Sequence, residues 1–548
     1  MNTLMQMKLN KIILLLLLSA THLLAQDIGT TEVKVVEDFK PTIPQATRLD
    51  EKATFADTTK RDRSQEYTVI ATDLKSDYKT RPLKAAKVKP DKIPKLYATK
   101  VDFGFGNAYT TKASVVHNSM RSKTLSYGVL LNHFANKYYI DGDIAKNSKN
   151  TMRLYAKKIS STHIFMTNLD YDRRTSLYSL LDDENYRNRF AYTKFSFSAI
   201  SQELSADKLK HHTTFFVSDL NEFSENQIQL STNLSKTING QPFSLEIEFN
   251  DYLRYNNADT RLENTGLKIL SFSPSTFISK YGIGFDLAVD FDFMSDDSPF
   301  QFFPKIKATK EIVKDVLLVY GGLRHSEQRH TLKSLSDENP YIHSFGTNQS
   351  ILGDSSFLQE LKIADAQELY LGMRNVLAKG EVFEGSIAYG IVTDFAHFIH
   401  FHHHSYNRYG YNRFQVAYLD VRQLHANVNY YRKINEILSL NANADYFSWD
   451  VDVYHKPNLT VDLSASINLR DKIKVVPLIS YIGERSVMNG MLNSISAQIH
   501  ANLSLYYSYS KQLSAYLQLN NLNNSKKDLW LGYREVGFNG LFGLHYCF

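Results

Sequence analysis

The chain of 548 residues carries a single cysteine, Cys547, so it cannot close an internal disulfide, and a cysteine-built metal site has no ligands to draw on. It has only 2 Trp and 12 Pro. After the N-terminal leader no apolar run reaches the length of a membrane-spanning helix, which excludes a helical membrane protein. Charge of one sign is also missing. The net charge is +6, with Lys and Arg mixed among Asp and Glu throughout, and no footprint for nucleic acid stands out. The chain is rich instead in Tyr (34) and Phe (33), and these fall in segments that alternate in polarity.

The first residues read as an export signal. Lys8 and Lys11 precede the apolar run Ile12–Leu18, and the stretch Leu23-Leu24-Ala25 places a cleavage site after Ala25. Residues 1–25 are therefore expected to be a signal peptide. Residues 26–98 differ in texture from the remainder of the chain: Pro41, Pro44, Pro82, Pro90 and Pro94 punctuate a segment poor in large apolar side chains. It ends in a basic run, Lys84, Lys87, Lys89, Lys92, Lys95 and Lys100. Such a segment buries little core and is expected to lie extended, either in the periplasm or folded back into a lumen.

From residue 99 onward period-two alternation is nearly continuous. Leu459, Val461, Leu463, Ala465, Ile467 and Leu469 oppose Thr460, Asp462, Ser464, Ser466, Asn468 and Arg470. Tyr281, Ile283, Phe285, Leu287, Val289, Phe291 and Phe293 oppose Gly282, Gly284, Asp286, Ala288, Asp290 and Asp292, and the run from Ile495 to Tyr507 alternates in the same way. These runs are long enough to cross a bilayer at a tilt, and only a closed sheet can do so without leaving backbone groups unpaired. The expectation is an all-β fold, a transmembrane antiparallel β-barrel of roughly 22 strands over residues 99–548. Tight turns are expected at Arg121-Ser122, Ser160-Ser161, Asn239-Gly240, Lys379-Gly380, Asn435, Asp471 and Lys511, all at one end. Long loops are expected at the other end, at 136–150, 174–188, 326–365 and 396–411. Phe414 to Tyr431 reads as one long strand.

The final segment, Phe538 to Phe548, puts Phe538, Gly540, Phe542, Leu544, Tyr546 and Phe548 on one face. A chain ending on an aromatic suits a last strand laid against lipid, whereas the termini of soluble proteins usually fray into water; the alternative is an ordinary buried edge strand. Gly543, Tyr546 and Phe548 resemble the glycine-x-x-aromatic-x-aromatic signal by which Gram-negative outer-membrane barrels are recognised by their assembly machinery. Residues 513–521, Trp530-Leu531-Gly532-Tyr533 and the closing strand together resemble the end of TonB-dependent receptors. Further points of likeness are Val35 to Pro44, Lys95-Leu96-Tyr97, Asn339-Pro340 and His455-Lys456-Pro457. The resemblance implies an outer-membrane location and uptake or ligand binding at the cell surface. It also implies a globular plug before the first strand, longer than residues 26–98 provide, and this departure leaves energised transport open; Thr31 to Val36 resembles an energy-coupling box.

Two local constellations carry chemistry. In an extended chain His400, His402 and His404 share a face and are the candidate ligands for a metal ion, although alternate side chains stand about 7 Å apart. Ser496, Gln498, His500 and Asn502 share an inward face, but no nucleophile motif accompanies them, so no catalytic residue and no cofactor is assigned. Three functions remain open: a receptor for uptake, a structural or assembly subunit with a protein partner in the periplasm or outer membrane, and a passive channel. A barrel this wide would leak if left empty, and its inward acids Glu246, Glu248, Asp286, Asp290 and Asp292 make the basic end of residues 26–98 a candidate filler.

Overall fold

The computed structural model describes Glu66, Thr68 and residues 96–548, save 141–142, 180–186, 204, 221–224, 255–265, 296–298, 343–361, 401–413 and 489–493. The chain divides into two units, Met1–Pro90 and Asp91–Phe548, and it is the second that is described. Its first strand is Thr99–Gly106, and twenty-two strands run up and down in sequence order to Asn539–Cys547. Each pairs antiparallel with the next, and the last pairs with the first, Lys100 opposite Cys547 and Gly104 opposite Gly543. Thr99 and Phe548 exchange both backbone hydrogen bonds at the end of this seam, at 3.0 and 2.9 Å. The ring is closed, as a lipid-embedded sheet requires.

Side-chain exposure agrees with the expected alternation. On the closing strand Phe542, Leu544, Tyr546 and the terminal Phe548 point outward, while Leu541 is buried. The inner face is polar and laced across strands: Ser114 donates to Asn132 (2.8 Å), which donates to Thr151 (3.0 Å). Tyr516 lies flat across the seam on the lumen side and donates to Asp102 at 2.9 Å. A Cβ at Gly543 would stand 2.2 Å from that ring, and one at Gly104 would stand 2.6 Å from its hydroxyl. Glycine at both positions makes room for the ring.

All seven expected tight turns join consecutive strands at one end. At Asn239-Gly240 both residues take positive φ (50° and 80°), the geometry of a two-residue hairpin whose twist matches the strands. Tyr281-Gly282 forms a turn of the same kind (56° and 73°), so Tyr281 does not belong to the next strand.

The other end departs from expectation. Leu125–Ile140 and Asp143–Ile159 pair as far as Ile140 opposite Asp143, so 136–150 is mostly ladder and not loop. Similarly, His163–Ser179 extends into the expected loop at 174–188, and Glu381–His400 extends into that at 396–411. Glu381–His400 and Phe414–Lys433 are each 20 residues long, about twice what a bilayer crossing needs. Above the lipid both faces of a strand meet water or other loops, so the hydrophobic period vanishes while the hydrogen bonds continue. Ile495 to Ala497 lies outside the barrel strand, which is Gln498–Ser508; Ile495 belongs to a short pair with Arg485.

Loop sidedness gives a direct test. A protease-cleavable tag inserted at Asn348 should be cut on intact cells, and the same tag at Asn239-Gly240 or Asp471 only after the outer membrane is broken. The reverse pattern would invert the orientation.

Candidate functional site

The connection after the thirteenth strand turns back over the barrel mouth. Thr331 caps a short helix, α1, Leu332–Glu338, by accepting from Ser334 N at 3.0 Å, while Thr331 N donates to Ser334 Oγ at 2.9 Å. The reciprocal pair satisfies backbone donors that a helix start leaves free. The Glu225 carboxylate, buried on the wall, accepts from Leu332 N at 2.7 Å. Leu332 and Leu335 point into an apolar cluster with Phe190, Leu220, Ile342, Phe398 and Phe414. Leu531 and Tyr533 of the 521–538 connection and Val487 of the 483–497 connection complete it.

The segment 331–342 is held from both sides of the ring. On one side Asn188 donates to Pro340 O (2.9 Å) and Ile342 O (3.0 Å), and Arg174 forms an ion pair with Asp337. On the other, Lys456 pairs with Glu338, Phe414 N donates to Tyr341 O at 3.2 Å, and the Tyr341 ring packs tilted against Tyr533 with centroids 3.7 Å apart. Asn188 opens the sixth strand and Lys456 comes after the seventeenth, eleven places apart in a ring of twenty-two, so the segment spans the mouth. Burial lowers the Lys333 ammonium from its usual range to about 8, helped by the nearby Arg174 charge and opposed by Asp172. Burial likewise lowers Arg485, whose guanidinium donates to Leu529 O (2.5 Å) and Asp528 O (3.1 Å) and so ties two connections together.

Several residues singled out in the sequence meet at this closure. Asn339-Pro340 and His455-Lys456 are part of it; His455 is bonded to Phe398 O at 2.7 Å. Gln498 donates to Asp528 O (2.5 Å), His500 contacts Glu535 (2.7 Å) and Asn502 accepts from Asn521 N (2.9 Å). That polar face anchors the 521–538 connection to the wall. His402 and His404 lie outside the described residues, and His400 is the last residue of its strand. The inward acids are partly neutralised by the wall itself: Asp290 contacts Lys305 at 2.6 Å, and Glu248 pairs with Arg329. A basic filler would therefore find fewer unpaired acids than the sequence implies.

Sequence reasoning missed Glu327 and Arg329, and His325 beside them, because it placed 326–365 in a loop. The strand Leu317–His330 carries all three, and their period-two spacing was the available signal.

Asn188 makes the closure testable. Its removal takes the donor from a buried carbonyl, Ile342 O, at a cost of about 1–3 kcal/mol, and from the part-buried Pro340 O, so the open population should rise roughly tenfold or more. Ser336 is fully buried in the closure. Ser336→Cys, in a Cys547→Ser background, should react slowly with a membrane-impermeant maleimide on intact cells, and about tenfold faster with Asn188→Ala added. Equal rates would mean that Asn188 does not hold the segment down.

No family model matches the sequence, and neither does any curated protein. Solved structures do match. The siderophore receptor PirA from Acinetobacter baumannii aligns with 83% of this chain and 81% of its own, at a TM-score of 0.60 and 12% identity. A mutant of the ferric enterobactin receptor from Pseudomonas aeruginosa aligns with 82% of this chain and 80% of its own (TM-score 0.58, 11% identity). The ferric-catecholate import receptor Fiu from E. coli aligns with 82% of each chain (TM-score 0.57, 11% identity). The chain has an outer-membrane-type β-barrel fold, similar to that of these siderophore and ferric-chelate receptors.

Proposed function

We propose that the protein is a receptor-like barrel that binds a ligand at the cell surface for uptake. The observation that carries this reading is the covered mouth. A passive channel needs an open path, whereas here the segment 331–342 is anchored to opposite walls by buried hydrogen bonds and ion pairs. A ligand arriving from outside meets this closure first, and one that binds the opened mouth more tightly shifts it open. The similar structures are receptors for iron chelates, and iron chelates are accordingly the first ligand class to test. In this reading residues 1–25 are removed on export and residues 26–98 lie in the periplasm or enter the lumen. Outer-membrane lipid and the barrel-assembly machinery are its general partners.

Binding of radiolabelled ferric enterobactin and a panel of other ferric chelates should be compared on cells with and without the protein. A receptor gives saturable binding of at least one member that disappears with the protein. Identical binding on both cell types, together with a stoichiometric protein partner in native membranes, would favour the assembly-subunit reading instead.

We also propose that the closing strand carries the assembly signal, with Gly543, Tyr546 and Phe548 as its elements. Tyr546 and Phe548 face outward with rings stacked at 6.0 Å, exposed to lipid or to a recognising protein. Phe548→Ala keeps the backbone pairing with Thr99 and removes only the ring. It should lower the amount of heat-modifiable protein in the outer membrane several-fold, while Phe542→Ala, another outward aromatic, should not. Equal levels in the two variants would remove the special role of Phe548.

A further inference from the structure

The wall beneath the closure contains an irregularity with unusual chemistry. The ladder between Phe300–Val313 and Leu317–His330 ends at the pair Ile306 and Leu323. Next to it Gly322 packs so closely on Ile306 O that a Cβ would stand 1.9 Å away. Beyond this point Arg324 reaches Glu368 (2.7 Å), and the adjacent His325 also turns to acidic partners. Two consecutive side chains thus serve charged groups where strict alternation would send one of them into lipid.

The His325 side chain is only 3% exposed, stacked on Phe303 with centroids 3.6 Å apart. Its Nδ1 lies 3.2 Å from Asp290, which fixes the ring and leaves Nε2 facing Asp365 Oδ1 at 3.5 Å without a hydrogen bond. Glu327 stands opposite Asp365 in the ladder. One ligand atom from each of His325, Glu327 and Asp365 lies within 4.8 Å of the others. Glu327 Oε1 and the neighbouring Asp292 Oδ2 are buried without a hydrogen-bond donor, and Asp365 Oδ1 has only the His325 Nε2 contact at 3.5 Å. Arg329, the cation on Glu327, is shared with Glu248, and Lys305 is engaged by Asp290.

A buried imidazole nitrogen aimed at carboxylate oxygens, with its other nitrogen held by a further carboxylate, is the arrangement of a metal-ligating histidine. Buried carboxylate oxygens that lack a hydrogen-bond donor gain more from a divalent cation than from one another's company. We propose that His325, Glu327 and Asp365 bind a first-row divalent metal ion, of the zinc or manganese type, with Asp290 orienting His325. One imidazole and two carboxylates suit these ions better than copper, which prefers softer or nitrogen-rich sets. The site is separate from any ligand held in the mouth. Because His325 and Glu327 lie on the strand that leads into Thr331, bound metal would stiffen the root of the closure.

Full-length protein without a polyhistidine tag, carrying His402→Ala, His403→Ala and His404→Ala to silence the loop, should be stripped with EDTA and titrated with Zn2+. One equivalent should bind. Glu327→Gln and Asp365→Asn should each weaken binding by at least about tenfold, and Asp290→Asn should do so through His325. Glu368→Gln, on the same wall but paired to Arg324, should leave it unchanged. Heat-modifiability confirms that each variant is folded. No stoichiometric binding to the parent, or equal binding by parent, Glu327→Gln and Asp365→Asn, would overturn the site and leave the carboxylates sharing protons.

Discussion

Closure of the hydrogen-bond ring is the constraint that governs this molecule. In hydrocarbon an unpaired backbone group costs several kcal/mol, so the first strand must find the last, and the seam from Thr99–Phe548 to Gly106–Leu541 is where it does. The seam is shaped from both sides. Outside, Phe103, Phe105, Phe542 and Leu544 supply the lipid face. Inside, Gly104 and Gly543 leave space for Tyr516 to reach Asp102 and for Lys112 to sit over its ring at 4.9 Å. Gly543 therefore has a structural reason to be glycine that is independent of any recognition signal.

Twenty-two strands also impose a width that inward side chains cannot fill. The barrel answers in two ways. Its wall is polar and internally paired, through cross-strand rows such as Ser114, Asn132 and Thr151 and ion pairs such as Arg324 with Glu368. Its mouth is covered by connections that bring their own apolar core, anchored at Asn188 and Glu225 on one side and at Phe414 and Lys456 on the other. Leu332 and Leu335 bury apolar surface there that a free loop would leave in water, about 25 cal/mol for each Å².

The fold was legible because lipid enforces a simple rule on sequence. Between Leu459 and Leu469 every second residue faces lipid, and the expected strand coincides with the observed one. Tight turns were equally clear, since Asn239-Gly240 has little choice of conformation. Outside the bilayer the rule lapses. Lys146, Lys149 and Arg174 sit in regular ladders that look like loops because water or neighbouring loops, not lipid, surround them. The covered mouth was illegible for another reason: its contacts join residues such as Asn188 and Pro340, 152 positions apart, with no periodicity to announce them.

The His325 cluster lies where both sources of legibility fail together. The ladder stops at Leu323, and alternation is broken between Arg324 and Glu327, whose register partners Glu368 and Asp365 are likewise three apart. A strand obeying the lipid rule throughout would have sent either Arg324 or His325 outward. Instead the interruption turns both toward acids and gathers buried carboxylate oxygens that lack hydrogen-bond donors beside them. Departures of this kind cost ladder hydrogen bonds and desolvate charge, so they persist where something compensates. In this wall Lys305 and Arg329 are already engaged by Asp290, Glu248 and Glu327, and the His325 imidazole lies between Asp290 and Asp365.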